Sequence, residues 1–127
     1  MESLKKEQQE ALEALEALET LVEFNERLLK NMKIIVKELS GKRLDDTDKF
    51  LKAIVDAMNW EIAVVNGTSE LLNAGKERVN KKVFNERISK FAEALKTNDD
   101  GEIAEAIQIL IPEFENLNVA AKEVITQ

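Results

Sequence analysis

Residues 11–39 read ALEALEALETLVEFNERLLKNMKIIVKEL, and their apolar residues recur at alternating steps of four and three. This spacing holds one row of side chains on one side of an α-helix. A second apolar row lies beside the first and repeats every seven residues. The two rows together have the width expected of a bundle helix rather than of a two-stranded coiled coil. We therefore predict a helix over residues 3–40, which Gly41 is suited to end.

Three further segments show the same apolar periodicity, and they predict helices over residues 47–73, 80–96 and 100–125. Asp99 stands three residues before Glu102, a spacing typical of a capping box at the start of the last helix. Short connections place consecutive helices side by side in opposite directions. The sequence therefore predicts one all-α domain, an up-down antiparallel four-helix bundle with a long N-terminal helix.

Two residues interrupt these predicted helices. The apolar phase continues unchanged across Gly67, so we favour one long second helix, weakened by about 1 kcal/mol relative to alanine. The alternative is a turn there, with Thr68 or Ser69 capping a short extra helix. Pro112 removes a backbone donor and crowds the carbonyl of Gln108, so we expect a kink in the last helix rather than an end.

The predicted helices differ in length. At 1.5 Å per residue the first is roughly 55 Å long and the third only about 25 Å. We therefore expect the N-terminal end of the first helix to project past the bundle. An exposed row there would need a partner chain, and its members are Leu12, Leu15 and Leu18.

The composition excludes most chemistry. The chain has no His and no Cys, which removes histidine-based catalysis, thiolate metal sites and disulfides. It also has no glycine-rich loop of phosphate-binding spacing. We therefore expect no enzyme activity, no cofactor and no metal site. The net charge of −7 argues against nucleic-acid binding. Apolar runs are too short for a membrane span, and the polar N-terminus lacks a signal segment, so we expect a cytoplasmic protein.

Charge is distributed unevenly along the chain. Residues 1–26 and 93–127 each carry eight acidic and two basic residues, whereas residues 76–92 carry six basic and two acidic ones. The stretch from Lys76 to Lys90 is expected to be a solvated helix face. The alternative is a surface that meets an acidic partner.

The second predicted helix has an unusually wide apolar arc of roughly 220°, about twice that of an ordinary surface helix. Its second apolar band consists of Phe50, Ala53, Ala57, Trp60 and Val64. One interpretation is a helix wedged between two neighbours in its own bundle. The other is an exposed interface centred on Trp60, an interface-anchoring residue type, where the small alanines allow close approach.

Two polar residues fall within apolar faces. Asn25 occupies a core position of the first helix, where a buried amide can fix the register or the oligomeric state. The alternative, which we favour, is that it lies at the rim or bonds a neighbouring helix. Glu61 lies within the apolar arc of the second helix, and we expect it to reach a Lys or Arg, since a lone buried carboxylate must pair or take up a proton.

Residues 28–117 resemble a small uncharacterised all-helical family of Gram-positive bacteria. The matching segments are Gly41-Lys42-Arg43, Asn59-Trp60-Glu61, the segment of residues 93–99 that reads EALKTND, and Ile111-Pro112. The resemblance implies a helical fold and no particular activity. In architecture alone the chain is also similar to flagellar export chaperones, which are small helical bundles.

These observations together favour a non-enzymatic interaction or scaffolding bundle that self-associates, most simply as a homodimer. One alternative is a holding or export-type chaperone that binds an amphipathic client segment against the second face of helix 2. Another is a bundle that binds a small ligand in a cavity near Asn25 and Glu61.

Overall fold

The computed structural model describes the backbone of residues 2–127 and the side chains of residues 5–127. Met1, at the start of the polar N-terminal segment, lies outside the described residues. The described part forms α-helices and no strand, which confirms the all-α prediction. These helices are α1 (Glu2–Leu39), α2 (Thr47–Gly67), α3 (Ser69–Leu72), α4 (Lys81–Thr97) and α5 (Asp100–Ile125). None of them is long and apolar enough to cross a membrane.

The helix ends follow from local chemistry. The Asn80 side chain accepts a hydrogen bond from the backbone N–H of Val83 at 3.1 Å and caps α4. Asp99 accepts one from the N–H of Glu102 at 3.0 Å, as its spacing predicts, and caps α5. After α1, Gly41 has a φ of 112°, a conformation that glycine adopts without steric cost. The predicted ends of α1, α4 and α5 are therefore correct to within one residue.

The prediction of one continuous helix over residues 47–73 is wrong, because α2 ends at Gly67 and the one-turn α3 follows. At the break, the Thr68 hydroxyl donates to the Val64 carbonyl oxygen at 2.7 Å. The Thr68 N–H is divided between the Val64 and Val65 carbonyl oxygens, at 2.9 and 3.3 Å. The hydrogen bond from the Thr68 hydroxyl competes with the regular backbone hydrogen bonds of the helix. The preceding residue, Gly67, also has a low helix propensity. The apolar phase survives because only one residue separates the helices, so Leu72 is still fully buried.

Pro112 does not end a helix, since α5 runs from Asp100 to Ile125 without interruption. The apolar residues before and after the proline lie in the same core, as their common phase predicts. Ile107, Leu110, Phe114 and Leu117 are all fully buried. The continuity of α5 is confirmed, and the kink stays a prediction.

The predicted apolar rows form the core. α1 packs against both α2 and α5, α4 packs against α5, and α3 touches α1, α2 and α5. Every helix contributes to one cluster of buried apolar side chains. At its centre Phe84 and Phe114, both fully buried, form what we call the inner aromatic pair, with ring centroids 5.6 Å apart.

The basic stretch of residues 76–92 is partly neutralised within the chain. Lys76 and Arg78 both bond Glu123 of α5, at 2.6 and 3.3 Å, and Arg87 pairs with Glu113. The Arg78 side chain is only 5 % exposed, and it also donates to the carbonyl oxygens of Leu72, the last residue of α3, and of Ala74. The stretch is therefore neither a purely solvated face nor wholly available to a partner, because α5 supplies part of the opposite charge.

Candidate functional site

A pair of partly exposed aromatic side chains marks the seam between α1 and α2. Phe24 and Trp60 pack with ring centroids 5.6 Å apart and an interplanar angle of 59°. They are 43 % and 41 % exposed, although their rings have apolar area that ordinarily favours burial. We call them the outer aromatic pair. Their geometry matches that of the inner pair, and only their exposure differs.

The rest of the predicted apolar band of α2 lies along the same seam. Phe50, Ala57 and Val64 are half-buried and pack against the core, whereas Ala53 is exposed. Trp60 thus lies on the solvent side of the band, whereas the other side of the band packs against the core of the same chain. The band is therefore a helix seam with an exposed aromatic edge, and its role as an interface stays a prediction.

The three leucines predicted to form a projecting row have different environments. Leu12 is 56 % exposed, Leu15 is half-buried against the core, and Leu18 is fully buried. The assignment of Leu18 to an interface is therefore wrong. It lies in the same core cluster as Leu72 of α3 and Val124 of α5, because these elements extend to its level of α1. Residues 5–13 are exposed throughout, so the uncovered part of α1 is shorter than predicted.

Asn25 is fully buried and bonds a neighbouring helix. Its Nδ2 donates to the carbonyl oxygen of Phe114 in α5 at 2.9 Å. Bonding of another helix by Asn25 is thereby confirmed, and its placement at the rim is wrong. Its Oδ1 is buried, and within the described part of the chain no hydrogen-bond donor contacts it. The amide nitrogen is therefore satisfied, whereas the amide oxygen is buried and unsatisfied.

Glu61 is also fully buried, and neither of its carboxylate oxygens has a hydrogen-bond partner among the residues that the structure describes. The expected contact with a Lys or Arg is wrong, because this residue points into the core. On the same helix, the Lys52 ammonium lies at the surface, 4.0 Å from the Asp56 carboxylate. Burial raises the pKa of Glu61 from 4.5 to about 8, since an apolar environment disfavours the charged form. At neutral pH this carboxyl group is therefore mostly protonated.

A cleft of about 900 Å³ opens beside the seam, between the exposed end of α1 and the junction of α2 with α3. Small residues line much of it, among them Ala11, Ala14 and Gly67, and Glu7 and Glu10 give it an acidic wall. Its size is within the range of ligand pockets, but most of its charged side chains are solvent-exposed.

Sequence reasoning missed two residues of this region. Phe24 was not assigned to the interface, although an aromatic residue one position before the buried Asn25 could have indicated a helix seam. Asn118 of α5 has a buried Oδ1 that receives no hydrogen bond from the described side chains or backbone. Nothing in its sequence context distinguishes it from a surface asparagine, because its burial depends on how α5 packs.

No curated protein and no solved structure matches this chain. A family model does match, and it covers residues 2–120, nearly the whole chain. The chain therefore belongs to the family described as a domain of unknown function, DUF8042.

Proposed function

We propose that this protein is a non-enzymatic interaction bundle that self-associates through the seam of α1 and α2. The observation that carries the proposal is the outer aromatic pair, two rings in tilted contact that stay more than two-fifths exposed. Exposed Trp and Phe side chains next to small residues are typical of interface anchors. Ala53 and Ala57 flank Trp60 along α2 and would let a second helix approach closely.

A two-fold dimer fits this surface. In such a dimer the same patch on both copies makes the contact, so one aromatic pair can pack against its symmetry mate. Burying the remaining exposed ring area would favour association by the hydrophobic effect. The alanines add little side-chain entropy cost, which helps a small interface to be stable.

The test is sedimentation velocity from micromolar to submillimolar protein. We expect the wild type to move from monomer to dimer with rising concentration. Trp60→Glu should remain a monomer, because it places a charge at the centre of the contact. Trp60 is the single tryptophan of the chain, so its fluorescence should shift to the blue as the dimer forms.

Val119→Glu provides the matched control. Val119 is 63 % exposed on α5 and lies outside the seam, so its replacement should leave the dimer intact. A further variant, Leu12→Glu, tests whether the protein associates through the exposed end of α1 instead. A wild type that stays monomeric at every concentration, or a dimer lost only in Leu12→Glu, would contradict the proposal.

A holding chaperone for an amphipathic client segment is the second candidate function. The cleft beside the seam favours it, because Glu7 and Glu10 on its wall would attract a basic segment. The same sedimentation experiment separates the two functions. A monomeric wild type that binds a basic amphipathic helical peptide, and loses it in Glu7→Gln/Glu10→Gln, would support the chaperone.

We also propose that the helices form an up-down antiparallel four-helix bundle in which α3 is a one-turn extension of α2. Two ion pairs support this arrangement. Arg43, just after α1, bonds Asp100 at the start of α5 at 2.7 Å, and Glu26 in α1 lies 3.5 Å from Lys122 near the end of α5. These two contacts support the proposal because they pair the later part of α1 with the start of α5 and the middle of α1 with the end of α5.

Zero-length carbodiimide coupling tests that arrangement. It should join Lys122 to Glu26 within one chain, since the two side chains already lie close together. Mass spectrometry on a mixture of isotope-labelled and unlabelled protein separates coupling within a chain from coupling between chains. Coupling of Lys122 to a carboxylate near the end of α1 instead would show the opposite direction of α5.

A further inference from the structure

The last two residues of α2 are Asn66 and Gly67, and the break before α3 follows at Thr68. Of the asparagines in this sequence, Asn66 alone is followed by a glycine. An asparagine amide can react with the backbone nitrogen of the next residue, because the chain holds the two groups close together and their bond closes a five-membered ring. Glycine has no side chain to hinder that nitrogen, so this dipeptide is where ring closure meets the least steric resistance.

The surroundings of this dipeptide are open. Both residues are exposed, and both line the cleft of about 900 Å³. A Cβ atom added to Gly67 would meet no neighbouring element of the described chain within 4 Å. The Gly67 nitrogen can therefore approach the Asn66 side chain without obstruction from other helices, and water from the cleft can reach the product.

Asn85 of α4 contacts the reacting amide. Its Nδ2 donates a hydrogen bond to Oδ1 of Asn66 at 3.3 Å. When a nucleophile adds to Cγ of Asn66, negative charge develops on this same Oδ1. A hydrogen-bond donor that is already in place stabilises that charge in the transition state, as the donors of an oxyanion hole do. The contact from Asn85 therefore favours ring closure.

Ring closure also requires the last turn of α2 to open. In a regular helix the Gly67 N–H is bonded to the carbonyl oxygen four residues earlier, and the reaction must release it. The break lowers this cost, because α2 ends at Gly67 and the next residue, Thr68, turns its hydroxyl to the Val64 carbonyl oxygen. Terminal turns open at a small free-energy cost without unfolding of the core. The reaction can therefore proceed in the folded protein.

We propose that Asn66 and Gly67 form a site of spontaneous deamidation in which Asn85 activates the side-chain amide. The Gly67 nitrogen gives up its proton and forms a bond to Cγ of Asn66, and Nδ2 of Asn66 leaves as ammonia. Water then opens the five-membered imide. Attack of water at Cγ yields aspartate, and attack at the backbone carbonyl carbon yields isoaspartate.

Both products change the cleft. Each places a new carboxylate beside an acidic wall that already contains Glu7 and Glu10. Isoaspartate also lengthens the main chain by one carbon at the junction of α2 and α3. The cleft of an aged molecule therefore differs from that of a newly made one in charge and in backbone geometry. This modification does not depend on self-association through the outer aromatic pair.

The test is peptide mapping of the full chain during incubation at about pH 7.5 and about 37 °C, since removal of the Gly67 proton is faster in mild base. Mass spectrometry detects the mass gain of deamidation, and methylation by an isoaspartate carboxyl methyltransferase identifies isoaspartate. We expect both products at Asn66. Asn59 is the internal control and should stay intact, because it is exposed in the same helix but is followed by Trp60.

Two variants test the mechanism. Gly67→Ala should slow the reaction by about fivefold or more, because alanine makes opening of the last turn less frequent and its methyl group crowds the nitrogen. Asn85→Ala should slow it by about three- to tenfold through loss of the hydrogen bond. Ser89→Ala, at an exposed position of the same helix, should react like the wild type.

Unfolding in urea separates the role of Asn85 from a change in stability. In the unfolded chain the contact is absent, so Asn85→Ala and the wild type should react at the same rate. Asn66 that remains as intact as Asn59 in the folded wild type would overturn the proposal. A folded Asn85→Ala protein that reacts as fast as the wild type, or faster, would overturn the activating role of Asn85.

Discussion

The free energy of unfolding should fall as the pH rises from about 4.5 to about 8, and Glu61 is the cause. Burial raises the pKa of this carboxyl group in the folded state, whereas in the unfolded chain it keeps its ordinary value. Between these two values the folded protein holds a proton that the unfolded chain has lost. Stability from Glu61 is therefore complete below pH 4.5 and is lost as the pH rises, by roughly 1 kcal/mol per pH unit.

Urea unfolding across this pH range at constant ionic strength measures the effect. Glu61→Met should remove the slope and be on the order of 3 kcal/mol more stable than the wild type near pH 8, because it fills the same space without a polar group. The exposed control Glu86→Gln should follow the wild type. If the slope persists in Glu61→Met, another group titrates and Glu61 is already satisfied in the folded protein.

The loss of stability that we expect at acidic pH has a different origin. Arg43 lowers the pKa of Asp100, and Lys76, with a smaller contribution from Arg78, lowers that of Glu123. Each lowered pKa adds stability that is lost as the pH falls through it. Together with Glu61 these pairs place the stability maximum at mildly acidic pH.

Phe114→Ala should destabilise the protein by about 3–5 kcal/mol, whereas Phe24→Ala should cost only about 1 kcal/mol. Both residues belong to aromatic pairs with ring centroids 5.6 Å apart, so each variant loses a similar contact between rings. The difference comes from burial, because Phe114 is fully buried and its truncation leaves a cavity among close-packed side chains. Phe24 already has water on one side.

Urea denaturation of both variants at one low protein concentration provides the comparison. Low concentration matters, because a dimer formed through the outer aromatic pair would add stability that Phe24→Ala removes. Repeating the measurement at high concentration should therefore widen the loss in Phe24→Ala and leave that in Phe114→Ala unchanged. Equal losses at low concentration would mean that the outer pair serves the stability of the monomer.

Local sequence chemistry predicts most of the helices. Asn80 and Asp99 start α4 and α5 because their short side chains bond the backbone of the first turn, and this depends only on neighbours in sequence. The break after Gly67 was underestimated. The apolar periodicity continues across Gly67 and therefore predicts one helix. A break of a single residue leaves that periodicity unchanged, so it cannot be detected in this way. The bond from the Thr68 hydroxyl to the Val64 carbonyl oxygen disturbs the backbone hydrogen bonds of the helix there.

The candidate site was only partly predictable. The sequence places Trp60 at the edge of a wide apolar arc and Asn25 and Glu61 within apolar faces, and these positions follow from helical periodicity. It does not show that Phe24 packs on Trp60, since that contact joins two helices whose relative register is set by packing. The buried oxygen of Asn118 is likewise a consequence of how α5 lies against the core.

The amino-acid sequence alone is enough to predict that this protein is all-α and where its main helices lie, and it contains no histidine and no cysteine. These features depend on residue type and on spacing within one segment. The packing of the helices is needed to show that Leu18 is core, that Glu61 has no basic partner among the described residues, and that Trp60 stays exposed beside Phe24. The reason is that burial and pairing depend on which helix covers a side chain, and that depends on every helix at once.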